Sequence, residues 1–458
     1  MKNLFFCLFS ILTLSISVQA QSWSRLYIGF GAVVDAMCTD TAGNLYIGGY
    51  FSNPDGSMNV LKRSGATWVA LGAGFPNTKT FAQIFSMCTD VANNIYAAGD
   101  FLNDSGFTYV AKWDGTSWSE LGAGSANFQG EIPAICTDPF GNIFAVAGVA
   151  GDTTGNVYKW NGTTWSRLGS GTTALNANGW INSICSDPSG NIYAAGLFTN
   201  ANPWNAGVQY VAKWNGSTWT ALGSILCSLN PIGITSVITD NAGNVYSTGI
   251  FDFGTVSKWN GISWDTLGLG SNALNPNGKT LSLCKDPLGN IYAAGEFTDS
   301  AYSPGNYDNC YVAKWNGTTW SELGSGSNKL HPHDRIWTIC SDIHGSIYAA
   351  GAMTNNSGIG FVGKFGYNGV GVSPLNLINE ITVFPNPAHT AINIKIDASG
   401  TNLIGSDYYL CDWRGRIFKH GKLENSDTTI TVDNIPSGIY MLKVHANNNV
   451  LTYKMIKE

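Results

Sequence analysis

His331, His333 and Asp334 fall within four residues of one another in the stretch LHPHDRI (330–336). Two imidazoles and a carboxylate at that spacing are a donor set for a transition metal. The matching stretches LNPNGKT (274–280) and LNANGWI (175–181) carry Asn where the histidines stand, so the expectation is a polar loop without a bound metal. Asp35, Glu131 and Asp334 are the carboxylates that glycoside cleavage would use, two of them at a fixed separation. Trp204, Tyr302, Tyr307 and Asp308 lie in the variable stretches TNANPWNAGVQ (199–209) and TDSAYSPGNYDNC (298–310). Aromatic faces among Asn and Asp suit sugar stacking or contact with a protein. No nucleophile elbow, phosphate loop or strong zinc motif is present, and no cofactor is expected.

Other reactive side chains recur too regularly to mark one site. An Asp heads the pattern D-x-x-G-N at positions 40, 90, 138, 187, 240, 286 and 342. A carboxylate there accepts hydrogen bonds from the turn backbone, and Gly supplies the positive φ, so a structural role is expected rather than a metal ladder. Cys38, Cys88, Cys136, Cys185, Cys284 and Cys340 occupy one place in successive copies, and Ile238 replaces them once. A position that accepts Ile wants a compact apolar group, so these read as buried thiols. Cys227 and Cys310 lie outside the pattern, and whether they pair stays open.

The elements that carry these residues are strands. The core I-C-[TS]-D-x-x-G-N-I-Y-A-A-G-x-F returns seven times at spacings of 46 to 56 residues. Each copy is followed by a variable stretch and then V-A-K-W-N-G-T-T-W-S-E-L-G, clearest at 110–122, 211–223 and 312–324. Asn-Gly between two strands is a strong hairpin signal, because both residues tolerate positive φ. Four short antiparallel strands per copy at a period near 50 fit a β-propeller blade. The seventh copy lacks the closing Trp and Leu, whereas QSWSRLYIGFG (21–31) begins with them. Pairing of 22–26 onto the third strand of the last copy would close the ring and leave no open edge. The expectation is therefore all-β: a seven-bladed propeller over 21–369 closed by an N-terminal strand, a linker at 370–379, and a small Ig-like β-sandwich over 380–458.

Residues 1–20 read as a secretory signal peptide: Lys2, an apolar run from Leu4 to Val18, then Val18-Gln19-Ala20. Nothing later reaches the length of a transmembrane helix. A net charge of −6 without a basic stripe argues against nucleic acid as a partner. The repeats resemble secreted bacterial propeller repeats, including the two-component-regulator type, which implies the fold and leaves the function open. The tail is similar to the type IX secretion C-terminal sorting domain of the Bacteroidetes. Four elements carry that likeness: FPNPA (384–388) with Pro385, Asn386 and Pro387; CDWRGR (411–416) with Asp412 and Gly415; SGIYMLKV (437–444) with Gly438 and Tyr440; and the terminal strand with Lys454 and Lys457. The resemblance implies export through the periplasm and outer membrane, to the cell surface or beyond, with the type IX machinery as partner. The expected activity is non-catalytic binding of a glycan or protein by a monomer. The alternative is a propeller enzyme, a hydrolase or lyase, acting on extracellular polysaccharide.

Overall fold

The computed structural model describes residues 21–30, 32–51, 60–75, 83–122, 128–149, 155–175, 177–199, 210–223, 233–249, 255–268, 272–274, 276–298, 308–324, 326–366, 381–385, 387–396, 403–412, 417–446 and 449–458. Trp204, Tyr302, Tyr307, Cys227, Asn386 and Gly415 lie outside them. The chain divides into two compact units, Met1–Asn368 and Gly369–Glu458.

In the first unit the described residues form seven antiparallel sheets, six of four strands and one of five. The fourth sheet shows the pattern: Ile181–Ser186, Ile192–Gly196, Ala212–Trp214 and Trp219–Ala221, paired in that order. In the third sheet the first strand is split into Phe128–Gln129 and Ile135–Thr137, on either side of Pro133, which has no N–H to give a ladder. The first strand of each sheet packs on the first strand of the next, and Val33–Thr39 of the first sheet packs on Ile336–Ser341 of the seventh. The first strands thus form a closed inner ring, the arrangement of a β-propeller.

The seventh sheet takes its outermost strand from the chain's beginning. Ser22–Phe30 pairs antiparallel with Ile359–Gly366, from Ser22 opposite Gly366 to Phe30 opposite Ile359. The strand runs past the expected 22–26 and carries a bulge between Tyr27 and Gly29. Its Trp23 indole N–H donates to the Leu323 carbonyl at 2.7 Å. The equivalent Trp118, Trp165, Trp219, Trp264 and Trp320 each donate to a Leu carbonyl of the preceding sheet at 2.5–3.0 Å, and Trp68 donates to Tyr27 at 2.9 Å. A recurring Trp therefore fastens each sheet to its neighbour, and Trp23 fills the same place in the last one.

The turn residues have the roles their chemistry dictates. Asp187 Oδ1 accepts the Ser189 and Asn191 backbone N–H groups, and Oδ2 accepts Asn191 Nδ2 at 2.7 Å and the Tyr193 hydroxyl at 2.9 Å. Burial pushes the Asp187 carboxyl up, but these hydrogen bonds outweigh it and hold the group below its ordinary value. Asn93, which replaces Gly in the second copy, takes φ 64°, a conformation Asn tolerates. The six repeated cysteines are free thiols at the sheet interfaces, and burial pushes Cys38, Cys136 and Cys284 well above the ordinary thiol value. Cys310 is buried in the core between the sixth and seventh sheets.

The second unit is a two-sheet sandwich. Ile381–Phe384, Ala391–Ile396 and Asp427–Thr431 make one sheet. Ile417–Lys422, Asp407–Asp412, Gly438–Ala446 and Asn449–Lys457 make the other. Ile392, Ile394 and Ile430 of the first meet Leu410, Leu442, Val444 and Met455 of the second in one core. Tyr440 is buried, stacks edge-on against Phe418 and donates its hydroxyl to the Pro436 carbonyl at 2.8 Å. Asp412 pairs with Tyr440, Lys454 with Met441 and Gly438 with Lys457. Pro385 and Pro387 are exposed beside the edge strand, where the missing N–H costs no ladder bond.

Candidate functional site

The ring has two mouths. The D-x-x-G-N turns end the first strands at one mouth; at the other the first strands begin and the second strands end. Aligned on the turn Asp, the residues seven places earlier are Val33, Gln83, Glu131, Trp180, Gly233, Lys279 and Arg335. Two places further on stand Asp35, Phe85, Pro133, Asn182, Thr235, Leu281 and Trp337. Six of the seven sheets have a register shift at this point, as between Ile181 and Ser183. The bulge presses the strand backbone onto the Gly that ends I-Y-A-A-G. A Cβ on Gly196 would lie 2.0 Å from the Trp180 carbonyl oxygen, and one on Gly99 would lie 1.8 Å from that of Gln83. Only Gly allows this approach.

Trp180 is held by its backbone and left open by its side chain. Its carbonyl accepts the Leu197 N–H at 2.7 Å, while the residue is 64% exposed. Its neighbours in ring order are the exposed Glu131 and Gly233, which offers no side chain to cover the indole. Within the sixth sheet Glu296 meets Lys279 at 3.5 Å, and across the seam to the seventh it meets Arg335 at 3.3 Å. Arg335 in turn meets Asp334 at 3.2 Å and lies over the Trp337 ring. The result is an exposed aromatic surface with a carboxylate on one side and a chain of paired charges on the other.

The proposed carboxylates are distributed over three sheets. Asp35, in the first, accepts Gln83 Nε2 at 2.7 Å, and burial pushes its carboxyl up to about 6. Glu131 is exposed at the start of the third. Asp334, at φ 81°, accepts at its Oδ1 from the backbone N–H and the Nε–H of Arg335. The raised value of Asp35 is the kind a general acid needs.

The histidines tie loops together. His333 Nδ1 lies 2.6 Å from Asp308 Oδ1 and its Nε2 lies 2.8 Å from Asn356 Oδ1; His331 Nδ1 meets Asn309 at 3.0 Å. Hydrogen bonds to Asn356 and Asp308 raise the His333 value. Among the described residues no three His, Cys, Asp or Glu side chains converge to cage a metal. Asp308, expected at a ligand surface, is thus the partner of His333. Trp180, Trp337 and Phe85 were not singled out by the variable stretches. Aligning the copies on the turn Asp finds them, because it brings the starts of the inner strands into register, where the side chains differ from copy to copy.

Residues 382–458 match the family described as the secretion system C-terminal sorting domain. No curated protein sequence matches the chain. A solved structure of YCF48 bound to D1 peptide is similar at 13% identity and TM-score 0.50, covering 78% of this chain and 99% of that one. PorZ, a surface component of the type IX secretion system of Porphyromonas gingivalis, is similar at 14% identity and TM-score 0.49, covering 92% of this chain and 59% of its own. The extracellular domain of BT4673 from B. thetaiotaomicron is similar at 14% identity and TM-score 0.48, covering 96% and 58%. This chain therefore spans less than two thirds of the latter two. At such identities the likeness concerns fold. The tail and the fold together make this an exported β-propeller protein of the cell surface or extracellular space, with the type IX machinery as the partner of its tail. No helix among the described residues is long and apolar enough to cross a membrane.

Proposed function

We propose that the propeller is a non-catalytic binding module, which holds a glycan or protein ligand at the mouth where the first strands begin. The observation that carries this reading is Trp180. Leaving a large indole in water forgoes roughly 2 kcal/mol of burial, and one ring position out of seven bears it. A fixed backbone beneath an open aromatic face is a pre-organised stacking surface, with Glu131 beside it as an acceptor for hydroxyl or amide donors. The proposal keeps Trp204, Tyr302 and Tyr307, which lie outside the described residues, as candidate ligand contacts. The asymmetry of the mouth supports binding, since a single ligand needs a place where the copies differ.

The enzyme reading rests on Asp35, whose raised carboxyl suits a general acid. Its partner carboxylate would be Glu131 of the third sheet. A glycan array probed with the full mature chain, with release of reducing ends followed on every retained polysaccharide, tests both. Retention without release supports binding; release that disappears in Asp35→Asn supports catalysis. Silence across the array together with failure to retain any surface protein sinks the proposal.

A further inference from the structure

Four of the outer hairpins carry the same dipeptide. Asn161-Gly162, Asn215-Gly216, Asn260-Gly261 and Asn316-Gly317 lie between the third and fourth strands of their sheets, and all eight residues are exposed. In each turn the Asn side-chain oxygen accepts the backbone N–H groups of the second and third residues after it. At Asn215 these are Ser217 at 3.0 Å and Thr218 at 2.9 Å; at the other three the distances are 2.8–2.9 Å. The small ring closed by the first of these bonds runs from the amide carbon Cγ through the Gly nitrogen, so an electrophile and a nucleophile share one constrained loop. Gly stands at φ 99–104° there, and a Cβ on it would meet nothing within 4 Å. Its nitrogen is open to water, and among the described residues nothing accepts its N–H.

We infer that these turns are sites of self-modification, at which the Gly nitrogen attacks the preceding Asn side chain and converts it to aspartate or isoaspartate. Hydroxide takes the Gly N–H proton, and the nitrogen forms a bond to Cγ. The Cγ–Nδ2 bond then breaks, and ammonia leaves with a proton from water. A further water molecule opens the resulting succinimide at either carbonyl. The two N–H groups on Oδ1 face the oxygen on which charge develops as the nitrogen adds, the arrangement of an oxyanion hole.

The second sheet already holds the product in place. Its hairpin carries Asp114-Gly115, and Asp114 Oδ1 accepts the Thr116 and Ser117 N–H groups at 2.8 and 2.9 Å, the same pair of bonds. Hydrogen bonds from Ser117 and Thr116 hold that carboxyl down at about 2, so a converted turn is charged at neutral pH. Each conversion adds one negative charge to the formal −6 of the chain.

The four turns differ in how the leaving amide is held. Asn260 Nδ2 donates to Asp265 Oδ2 at 2.8 Å and to the Ser263 hydroxyl at 3.1 Å. Asn161 and Asn316 donate to the Thr164 and Thr319 hydroxyls at 3.2 and 3.3 Å. Among the described residues nothing accepts from Asn215 Nδ2. A tethered amide resists departure, and the Asp265 carboxylate repels the charge that develops beside it. Asn215 should therefore convert first and Asn260 last. The inference concerns the outer hairpins and is independent of the Trp180 surface.

Incubation of the full mature chain in mildly alkaline buffer, folded and in urea, with peptide mass mapping of the exchange of NH for O at each turn, tests it. In the folded chain Asn215 is expected to convert about tenfold faster than Asn260, the size of one hydrogen bond to a charged group. In urea the four rates should converge. Asp265→Ser should bring Asn260 up to the rate of Asn161 and Asn316. A folded chain that keeps all four Asn while the chain in urea loses them, a ranking that persists in urea, or an Asn260 rate unmoved by Asp265→Ser would overturn the inference.

Discussion

Trp23→Ala tests whether the first strand closes the ring. Trp23 gives its indole N–H to Leu323 at 2.7 Å, and its ring lies 5.4 Å from that of Phe365. Truncating a fully buried Trp costs about 3–5 kcal/mol, and Trp23 is half-buried, so about 2 kcal/mol of packing is lost. The hydrogen bond adds about 1 kcal/mol. At roughly 2 °C per kcal/mol for a large domain, Tm should fall by about 6 °C. Trp219→Ala removes the same contacts from a strand that its own hairpin holds in place, and should cost about as much in Tm. The two variants should part in another respect. Weakening Ser22–Phe30 frees the edge of Ile359–Gly366, and an open edge recruits other chains. Calorimetry and light scattering behind size exclusion, at several protein concentrations, read both effects. Concentration-dependent oligomers in Trp23→Ala, absent in Trp219→Ala, are expected. A Trp23→Ala protein that stays monomeric with its Tm within about 1 °C of wild type would refute the reasoning.

Three further outcomes follow. Asp187→Ala strands four donors of its turn and should cost about 3 kcal/mol in urea unfolding. Because hydrogen bonds hold Asp40, Asp187 and Asp240 below the ordinary carboxylate value, their stabilisation is present above about pH 4 and lost as pH falls through the depressed values. Stability measured from pH 7 to pH 2 should therefore drop only at the acid end, and less steeply in Asp187→Ala. For His333 the sign is opposite: its value is raised, so the tie to Asp308 and Asn356 is complete below pH 6.5 and loosens as pH rises through the folded value. An NMR titration of the His333 ring should give a midpoint above 6.5 that falls in Asp308→Asn; an unchanged midpoint counts against the tie.

The repeat was legible because each part of it is a local device. Asp187 and Gly190 build a turn from neighbours in sequence, and Trp219 reaches a carbonyl whose position the preceding copy repeats. The displaced strand was legible for the same reason, since Trp23 and Leu26 could only be one half of that device. The inner ends of the first strands were harder to read. A bulge near Ile181 breaks the alternation that normally tells which side chains are buried, so Trp180 read as part of the loop LNANGWI. Lys285 was hidden by its neighbours: beside Cys284 and Asp286 it looks like a variable residue, whereas the other six copies carry Thr or Ser there, each donating its hydroxyl to the carbonyl of the same position in the preceding sheet. The histidines were read by residue type, and their partners Asp308 and Asn356 come from other loops, which spacing along the chain does not reveal.

The proposed binding function turns on Trp180, and its most direct test is calorimetric titration of the best-retained array ligand into the wild-type chain and Trp180→Ala. Loss of a stacking contact should weaken binding by at least about tenfold while Tm stays within about 1 °C, because the exposed indole contributes little to folding. Equal affinity in the two proteins would contradict the assignment of the binding surface.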